Sequence, residues 1–280
     1  MVIGVSLSGG GVAGAAHIGF MLGLAERGIS PAVLAGTSAG GIVGGFLASG
    51  ISVTTMDAMF AGICAHPEFY GLLTEAGDIV MHHRLTDERG GLIDLAHLFG
   101  HLLQHAPRPL VADWPLVFGV SATDIVAGQS VLIAAGSPPH RGLSLRGLSG
   151  WAAVTATSAI PGIFSGIAFP GGYLADGGIL DNAPWDMVQD LADQGGIALD
   201  RIISVEIDAP SAPFRPTPAN VVRRTVSLLL DRANIPHPVS TPVVHVVPQL
   251  PPDAGLFSFS LYGALVEAGR EAAAALTILA

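Results

Sequence analysis

The order of elements near the N-terminus constrains the fold more than any other feature of this sequence. The apolar run VIGVSL at residues 2–7 predicts a strand, SGGGVAG a loop, and residues 15–28 a helix that ends at Gly28. PAVLA at 31–35 predicts a second strand, and residues 39–49 predict a second helix. A strand, a crossover helix and another strand form a unit whose strands run parallel and are buried under helices. The opening therefore predicts an α/β fold with a mostly parallel central sheet.

The remainder of the chain continues this pattern. Residues 115–136 predict two strands joined by a turn, and residues 143–159 predict a helix ended by Pro161. Further strands are predicted at 201–208 and 242–248, further helices at 218–233 and 259–278, and a helical but irregular segment at 51–113. The chain has 280 residues, with no evident linker and no internal repeat. We therefore expect a single domain over residues 1–280.

Composition excludes some classes of partner. Half of the residues are hydrophobic and only 12% are charged, so the chain should fold compactly. All 12 basic residues are arginine, and the net charge is −10. This balance disfavours binding to nucleic acid and gives no polybasic patch for anionic lipid.

The N-terminus and the cysteine content bear on location. The apolar start has no basic region before it and is interrupted by glycines, unlike a secretory signal peptide. Residues 31–50 are long enough to span a bilayer, yet six glycines divide them into strand, turn and helix. The lone cysteine, Cys64, has no partner for an internal disulfide, which fits a reducing compartment. A soluble cytoplasmic protein is the expectation.

A serine stands between glycines in GTSAG, directly after the second predicted strand. Gly36 and Gly40 flank Ser38 at the spacing of a nucleophile elbow, a sharp turn from strand to helix. The alternative is a glycine-rich turn that merely contains a serine. With 37 glycines in the chain, roughly 0.3 such matches arise by chance. The motif alone leaves both interpretations open.

The first glycine cluster, at residues 9–14, also has two interpretations. It matches the GxGxxG pattern of dinucleotide-binding proteins, but the acid that would hold a ribose is missing after the second strand. Alternatively, the loop is an oxyanion hole, because glycines expose backbone N–H groups at a helix N-terminus. Neighbouring parallel strands would bring Gly10, Gly11 and the N–H of Ala39 around one developing negative oxygen.

A nucleophilic serine needs a base. An α/β-hydrolase would use a downstream histidine such as His237 or His245, but only 35 residues precede GTSAG here, too few for the strands of that fold. A carboxylate in a site poor in water is the other option. Asp176 is the candidate, since Gly177 and Gly178 permit close backbone approach, although an ordinary Asp-Gly turn would look the same.

Several blocks together resemble the patatin-like phospholipase family. They are GGGVAGAAHIG at 9–19, GTSAG at 36–40, VSATDIVAG at 120–128, ATSAIPGIF at 156–164 and the Asp-Gly-Gly turn with Asn182, Ala183 and Pro184 after it. They occur in the family's order between residue 3 and about residue 185. Several ordered motifs are far more specific than either glycine motif alone.

The resemblance implies a three-layer α/β/α fold and a serine acyl hydrolase that cleaves carboxylic esters of lipids. It implies Ser38 as nucleophile, Asp176 as general base of a Ser–Asp dyad, and Gly9, Gly10 and Gly11 as the oxyanion loop. It implies neither a metal nor an organic cofactor. One departure is Ala13, where such proteins commonly have Arg or Lys. A catalytically silent lipid-binding or scaffold protein of the same fold is the alternative.

Other polar residues carry less information. Asp94, His97, His101 and His105 share one helical face, which is typical of a solvated stripe more than of a metal site. Asp124 is predicted to shape a hairpin turn, and His17 to pack or form a hydrogen bond. Segment 51–113 and the apolar composition suggest a lid or groove that faces lipid, and hence peripheral membrane contact. Oligomeric state is left open by the sequence.

Overall fold

The computed structural model describes residues 1–66, 91, 93–115, 117–208, 225, 228 and 238–277. Within them, eight strands form one sheet: β1 (Ile3–Leu7), β2 (Val33–Thr37), β3 (Phe118–Asp124), β4 (Gln129–Ala134), β5 (Ile167–Phe169), β6 (Gly172–Asp176), β7 (Arg201–Val205) and β8 (Val243–Val246). The described α-helices are α1 (Ala15–Glu26), α2 (Ala39–Ala48), α3 (Val53–Ala65), α4 (Leu95–Leu103), α5 (Gly150–Thr157), α6 (Trp185–Gly195) and α7 (Tyr262–Ala274). None of these helices has the length and apolar character needed to cross a membrane.

The central part of the sheet is parallel. The strand order is β5-β6-β3-β2-β1-β7-β8, and β4 pairs with β3 off this path. Strands β3, β2, β1, β7 and β8 pair in parallel, whereas β4, β5 and β6 are antiparallel additions on the β3 side. The sequence-based prediction of a mostly parallel sheet is confirmed.

Helices cover both faces of this sheet, because successive side chains of each strand point to opposite faces. Val33 and Ala35 of β2 belong to one cluster, where the apolar side of α6 packs through Val188 and Leu191. Leu34, between them, belongs to the larger cluster on the other face, which includes residues of helices α1 to α5 and α7. The predicted three-layer α/β/α arrangement is therefore confirmed.

Two strands meet end to end along β3, and this register positions the site. Thr37, the last residue of β2, lies opposite Ser121 of β3. Asp176, the last residue of β6, lies opposite Ala122, the next residue of β3. Because β2 is parallel and β6 antiparallel to β3, the C-terminal ends of β2 and β6 converge. Residues that follow Thr37 therefore come next to Asp176.

Most predicted elements are present with shifted ends. The strands near 2–7 and 31–35, the hairpin within 115–136, and the strands near 201–208 and 242–248 are confirmed. The helix predicted over 143–159 is shorter, since Leu145–Gly147 is a single 3-10 turn and α5 starts after Ser149. The Ser149 hydroxyl accepts the Ala152 N–H and caps the helix there. The helix predicted over 218–233 lies outside the described residues, apart from single positions.

Candidate active site

Ser38 occupies a strained turn between β2 and α2. Its backbone has φ 51° and ψ −118°, a conformation that residues other than glycine rarely adopt. The flanking glycines make this turn sterically feasible: a Cβ on Gly36 would collide with the backbone of Gly40, and one on Gly40 would collide with the Leu7 carbonyl. Only glycine at both positions lets the turn close against β1. The geometry is that of a nucleophile elbow.

The Ser38 backbone is held by two hydrogen bonds. The Ser38 N–H donates to the Thr157 hydroxyl at 2.9 Å, and the Ser38 carbonyl accepts the Ile42 N–H at 2.8 Å. The residue is only 6% exposed and lies on the wall of an apolar cavity. The backbone therefore places Ser38 where a substrate in that cavity would meet it.

Asp176 is a buried carboxyl group at the end of β6, only 1% exposed. Its Oδ1 accepts the Gly178 N–H at 2.8 Å, and its Oδ2 has no hydrogen-bond partner among the described residues. Burial raises the pKa of Asp176 to about 7, against smaller opposite effects of the neighbouring Ser38 hydroxyl and the Gly178 N–H. The serine hydroxyl is therefore close enough to influence this carboxyl group.

The turn after Asp176 lies directly on β3. A Cβ on Gly177 would lie 2.5 Å from the carbonyl oxygen of Ser121, so a larger residue would push the turn away from the sheet. Gly178 supplies the N–H that orients the carboxylate. The two glycines that the sequence singled out thus have distinct roles, one steric and one as a donor.

The glycine loop passes beside the nucleophile. A Cβ on Gly9 would lie 3.3 Å from the Ser38 Cβ. The Gly9 N–H, however, donates to the Asn182 carbonyl at 3.0 Å and is not available to an oxyanion, unlike the role expected from the family resemblance. The N–H groups of Gly10, Gly11 and Ala39 have no acceptor among the described residues. These three remain candidates for stabilising negative charge.

The cavity next to Ser38 has a volume of about 140 Å³ and a mostly apolar wall. Part of the wall comes from α1, α2 and the segment before β5. Segment 51–113 contributes Phe60, Ile63 and Cys64 from α3, and Leu95, Leu98 and Phe99 from α4. A third part, from the C-terminal quarter of the chain, comprises Leu256, Phe257, Phe259 and Tyr262.

Sequence reasoning missed the C-terminal part of this wall. The only available signal was the apolar run LFSF at 256–259, which does not indicate where it packs. In the structure, the Leu256 carbonyl accepts the Val12 N–H at 3.1 Å, and Leu256 covers Gly11, whose φ is 57°. Helices α3 and α4, which belong to the segment expected to form a groove, and this C-terminal segment therefore line the same cavity.

The polar residues outside the site have structural contacts. Asp124 accepts the Val126 and Ala127 N–H groups and so shapes the β3–β4 hairpin, as predicted. It also contacts His140 and Arg141 at 2.9 and 2.8 Å. Burial alone would raise its pKa, but these hydrogen bonds outweigh that effect and hold the pKa of Asp124 well below its usual value.

The remaining candidate histidines lie elsewhere. His97, His101 and His105 are exposed, and Asp94 caps α4 by accepting the Ala96 N–H at 2.9 Å. Among the described residues no group of three or more His, Cys, Asp or Glu side chains could hold a metal ion. His245 is on β8 and pairs with Glu206 at 2.6 Å, and His237 lies outside the described residues.

The fold and the site define a class: an α/β protein with a strained serine at a strand-to-helix turn, beside a buried acid and a glycine loop. The sequence pattern of the patatin-like phospholipase family matches residues 5–188. The chain belongs to the patatin-like phospholipase family.

Several relatives similar in sequence are named uncharacterised proteins of the NTE family. An uncharacterised NTE family protein of Mycobacterium bovis is 30% identical over 223 residues, covering 78% of this chain and 53% of the relative. Another, of Mycobacterium tuberculosis, is 30% identical over 304 residues, covering 98% of this chain and 46% of the relative. The chain thus spans about half the length of these curated relatives.

Two solved structures are also similar. VipD from Legionella pneumophila has a TM-score of 0.48 and 14% identity, covering 97% of this chain and 65% of that chain. The heterodimeric complex ExoU-SpcU from the type III secretion system of Pseudomonas aeruginosa gives a TM-score of 0.45 and 19% identity, covering 98% of this chain and 51% of that chain.

Proposed function

We propose that this protein is a serine acyl hydrolase that cleaves carboxylic esters of lipids with a Ser38–Asp176 dyad. The observation that carries the proposal is the register along β3, where Thr37 and Asp176 pair with consecutive residues. This register brings the residue after Thr37 next to the end of β6. Two further observations support it: the backbone of Ser38 is strained, and the Oδ2 of buried Asp176 has no hydrogen-bond partner among the described residues.

In the proposed mechanism, Asp176 accepts the Ser38 proton as Ser38 Oγ attacks the ester carbonyl carbon. The carbonyl oxygen becomes negative and is stabilised by the N–H groups of Gly10, Gly11 and Ala39. The intermediate collapses, the bond to the alcohol breaks, and Asp176 returns the proton to the leaving alcohol. Asp176 then takes a proton from a water molecule as the water attacks the acyl carbon of acyl-Ser38. When the bond to Ser38 Oγ breaks, Asp176 returns this proton to Ser38 Oγ and the carboxylic acid leaves.

The cavity supports an acyl chain as the bound part of the substrate. Its wall is apolar apart from a few groups such as Ser38 and Tyr262, and it opens beside the nucleophile. Apolar surface of this kind stabilises an alkyl chain by about 0.8 kcal/mol for each buried methylene. We also propose that the protein works in the cytoplasm, in peripheral contact with lipid surfaces from which it takes its substrate.

Labelling with a fluorophosphonate tests the proposal. The reagent should form one covalent adduct, which peptide mass spectrometry assigns to Ser38, and Ser38→Ala should give none. Ser165→Ala is the matched control, since Ser165 is also a buried serine but does not line the cavity. This variant should be labelled like the wild type. A folded wild-type protein that never reacts would instead support a silent lipid-binding protein.

Turnover of p-nitrophenyl esters tests the role of the acid. Asp176→Asn keeps the shape of the side chain but removes the base, so the rate should fall by about 10²–10⁴-fold while the protein stays folded. Circular dichroism checks the fold of the variant. Turnover near the wild-type rate would remove Asp176 from the mechanism.

A further inference from the structure

Ser8 is a buried serine between β1 and the glycine loop, only 1% exposed. Its hydroxyl oxygen accepts the Ile207 N–H at 2.9 Å and lies 2.8 Å from the Gly9 carbonyl oxygen. A carbonyl oxygen only accepts hydrogen bonds, so the hydroxyl proton of Ser8 must point to Gly9. The Ser8 hydroxyl therefore makes two hydrogen bonds. It accepts one from Ile207, just after β7, and donates the other to Gly9 in the glycine loop.

The peptide between Gly9 and Gly10 is the one that this hydroxyl holds. A trans peptide is planar, so its C=O and N–H point in opposite directions. With the Gly9 oxygen anchored on Ser8, the Gly10 N–H must point away from Ser8. Gly10 is partly exposed, and its N–H has no acceptor in the described ranges. This N–H is one of the proposed oxyanion donors.

The preceding peptide, between Ser8 and Gly9, is also fixed at both ends. Its carbonyl oxygen, on Ser8, accepts the Gly40 N–H at 3.1 Å and lies 2.8 Å from Nε2 of His17. Its N–H, on Gly9, donates to the Asn182 carbonyl at 3.0 Å. Helices α1 and α2 and the turn after β6 thus all hold one peptide plane.

The tautomer of His17 follows from these contacts. The ring is fully buried, and burial lowers its pKa to about 4, so the ring is neutral near pH 7. Its Nδ1 has no hydrogen-bond partner within the described part of the chain. Since the Ser8 carbonyl can only accept, the single ring proton lies on Nε2.

We propose that Ser8 is a positioning residue for the reaction: its hydroxyl orients the Gly9–Gly10 peptide so that the Gly10 N–H faces the developing oxyanion, with His17 fixing the peptide before it. The proposal rests on the hydrolase function proposed above. A donor that is fixed before reaction stabilises the transition state without reorganisation, whereas a peptide that rotates freely does not.

Ser8→Ala tests this role, with Ser6→Ala as the matched control. Ser6 is a fully buried serine of β1, two residues before Ser8, and its hydroxyl has no hydrogen-bond partner among the described residues. For Ser8→Ala we expect kcat on p-nitrophenyl butyrate to fall by about 10–100-fold with KM within twofold, since one oxyanion donor is worth about 10²–10³ in kcat. Fluorophosphonate labelling of Ser38 should slow by a similar factor. Ser6→Ala should match the wild type in both assays.

Thermal unfolding of both variants separates positioning from loss of structure. If Ser8→Ala does not fold, Ser8→Cys replaces it, because cysteine nearly keeps the side-chain volume and has a weaker donor. We expect kcat of Ser8→Cys to lie below the wild-type value by less than tenfold. The proposal is overturned if a folded Ser8 variant has a kcat within twofold of the wild-type value. It is also overturned if Ser8→Ala and Ser6→Ala lower kcat by the same factor. If wild-type protein is labelled but Ser8→Ala reacts equally fast, only the positioning role fails. An unlabelled wild type overturns both proposals.

Discussion

Two carboxyl groups near the end of β6 are buried, and burial governs their ionisation. The pKa values of Asp176 and Asp181 are both raised to about 7, first by desolvation, and for Asp181 also by the negative charge of Asp186. An ordinary aspartate, ionised far below pH 7, is a weak base. Burial makes Asp176 a better proton acceptor, because a base works best with a pKa near the working pH. Its Oδ2 has no competing hydrogen-bond partner in the part of the chain that the structure describes.

The first prediction concerns the pH dependence of the reaction. Only the ionised carboxylate accepts the Ser38 proton, and the pKa of Asp176 is raised to about 7. We therefore expect kcat/KM to increase with pH, by about tenfold per pH unit below 7, and to level off above it. Initial rates on a p-nitrophenyl ester between pH 5 and 9, corrected for spontaneous hydrolysis, measure this profile.

Asp181→Asn is the control for that profile, because Asp181 titrates in the same range and its Oδ2 is also buried without a partner among the described residues. If Asp176 is the base, the variant keeps the midpoint near 7. A midpoint near 4 in the wild type, or one that disappears in Asp181→Asn, would contradict the assignment.

At the scale of elements, the convergence of β2 and β6 creates the site, and this convergence was only partly predictable. The strand before Ser38 is a continuous apolar run, so the sequence predicts it directly. Strands β5 and β6 were missed, because they are only three and five residues long and are separated by Pro170 and Gly171, with Gly172 starting β6. Short strands with such breakers look like loops. The pairing of Asp176 with Ala122 is a long-range fact that no local pattern contains.

Helix α6 was also missed, although its signal was present. Met187, Val188, Leu191 and Ala192 lie on one side of the helix at helical spacing, and they are its buried residues. Gly196, with φ 64°, ends the helix in the left-handed conformation typical of a C-terminal glycine. No motif marks this segment, because it contains none of the candidate catalytic residues. It nevertheless covers the face of the sheet opposite to α2.

The second prediction concerns the crossing of α1 and α7. Helix α1 starts directly after the glycine loop, so its packing against α7 helps to position that loop. A Cβ on Gly269 of α7 would collide with the Ala16 carbonyl of α1. Rigid backbone on both sides leaves no room, so Gly269→Ala should destabilise the protein by about 3 kcal/mol. Urea unfolding followed by circular dichroism measures the change. Because α1 follows the glycine loop directly, ester turnover should also fall.

Gly263→Ala provides the comparison within the same helix. A Cβ there meets nothing within 4 Å, and the position is exposed. Alanine should stabilise the helix by about 0.5 kcal/mol relative to glycine. Equal unfolding midpoints for the two variants would show that the crossing tolerates a side chain and that α7 is not held by close backbone contact.

At the scale of the whole molecule, the chemistry and the binding surface come from different parts of the chain. The family pattern ends at residue 188, and all the proposed catalytic groups lie within it. The cavity wall also includes Leu256, Phe257, Phe259 and Tyr262, beyond that limit. Tyr262 is tied to α3, where its hydroxyl donates to Asp57 Oδ1 at 2.9 Å. Motifs point to the proposed reacting residues, but the shape of the cavity depends on tertiary contacts that motifs do not describe.

The third prediction separates these two contributions by changing the cavity without touching the reacting groups. Phe257→Ala removes a half-buried ring from the C-terminal wall, and Cys64→Trp adds a ring on the α3 side. Each methylene that gains or loses contact is worth about 0.8 kcal/mol, or roughly fourfold in kcat/KM. We expect Phe257→Ala to shift the preferred p-nitrophenyl ester to longer acyl chains, and Cys64→Trp to shift it to acetate and butyrate.

The opposite signs of these two shifts make the test specific to cavity volume, because damage to the fold would lower activity on every chain length alike. Ala61→Trp is the control for a large side chain on α3, since Ala61 is exposed and does not line the cavity. Its chain-length profile should match that of the wild type. Turnover of p-nitrophenyl acetate should be retained in Phe257→Ala, because the proposed nucleophile Ser38 lies elsewhere on the wall. If Cys64→Trp and Phe257→Ala shift the preferred chain length in the same direction, the acyl chain binds outside this cavity. The C-terminal segment would then only support the glycine loop through Leu256.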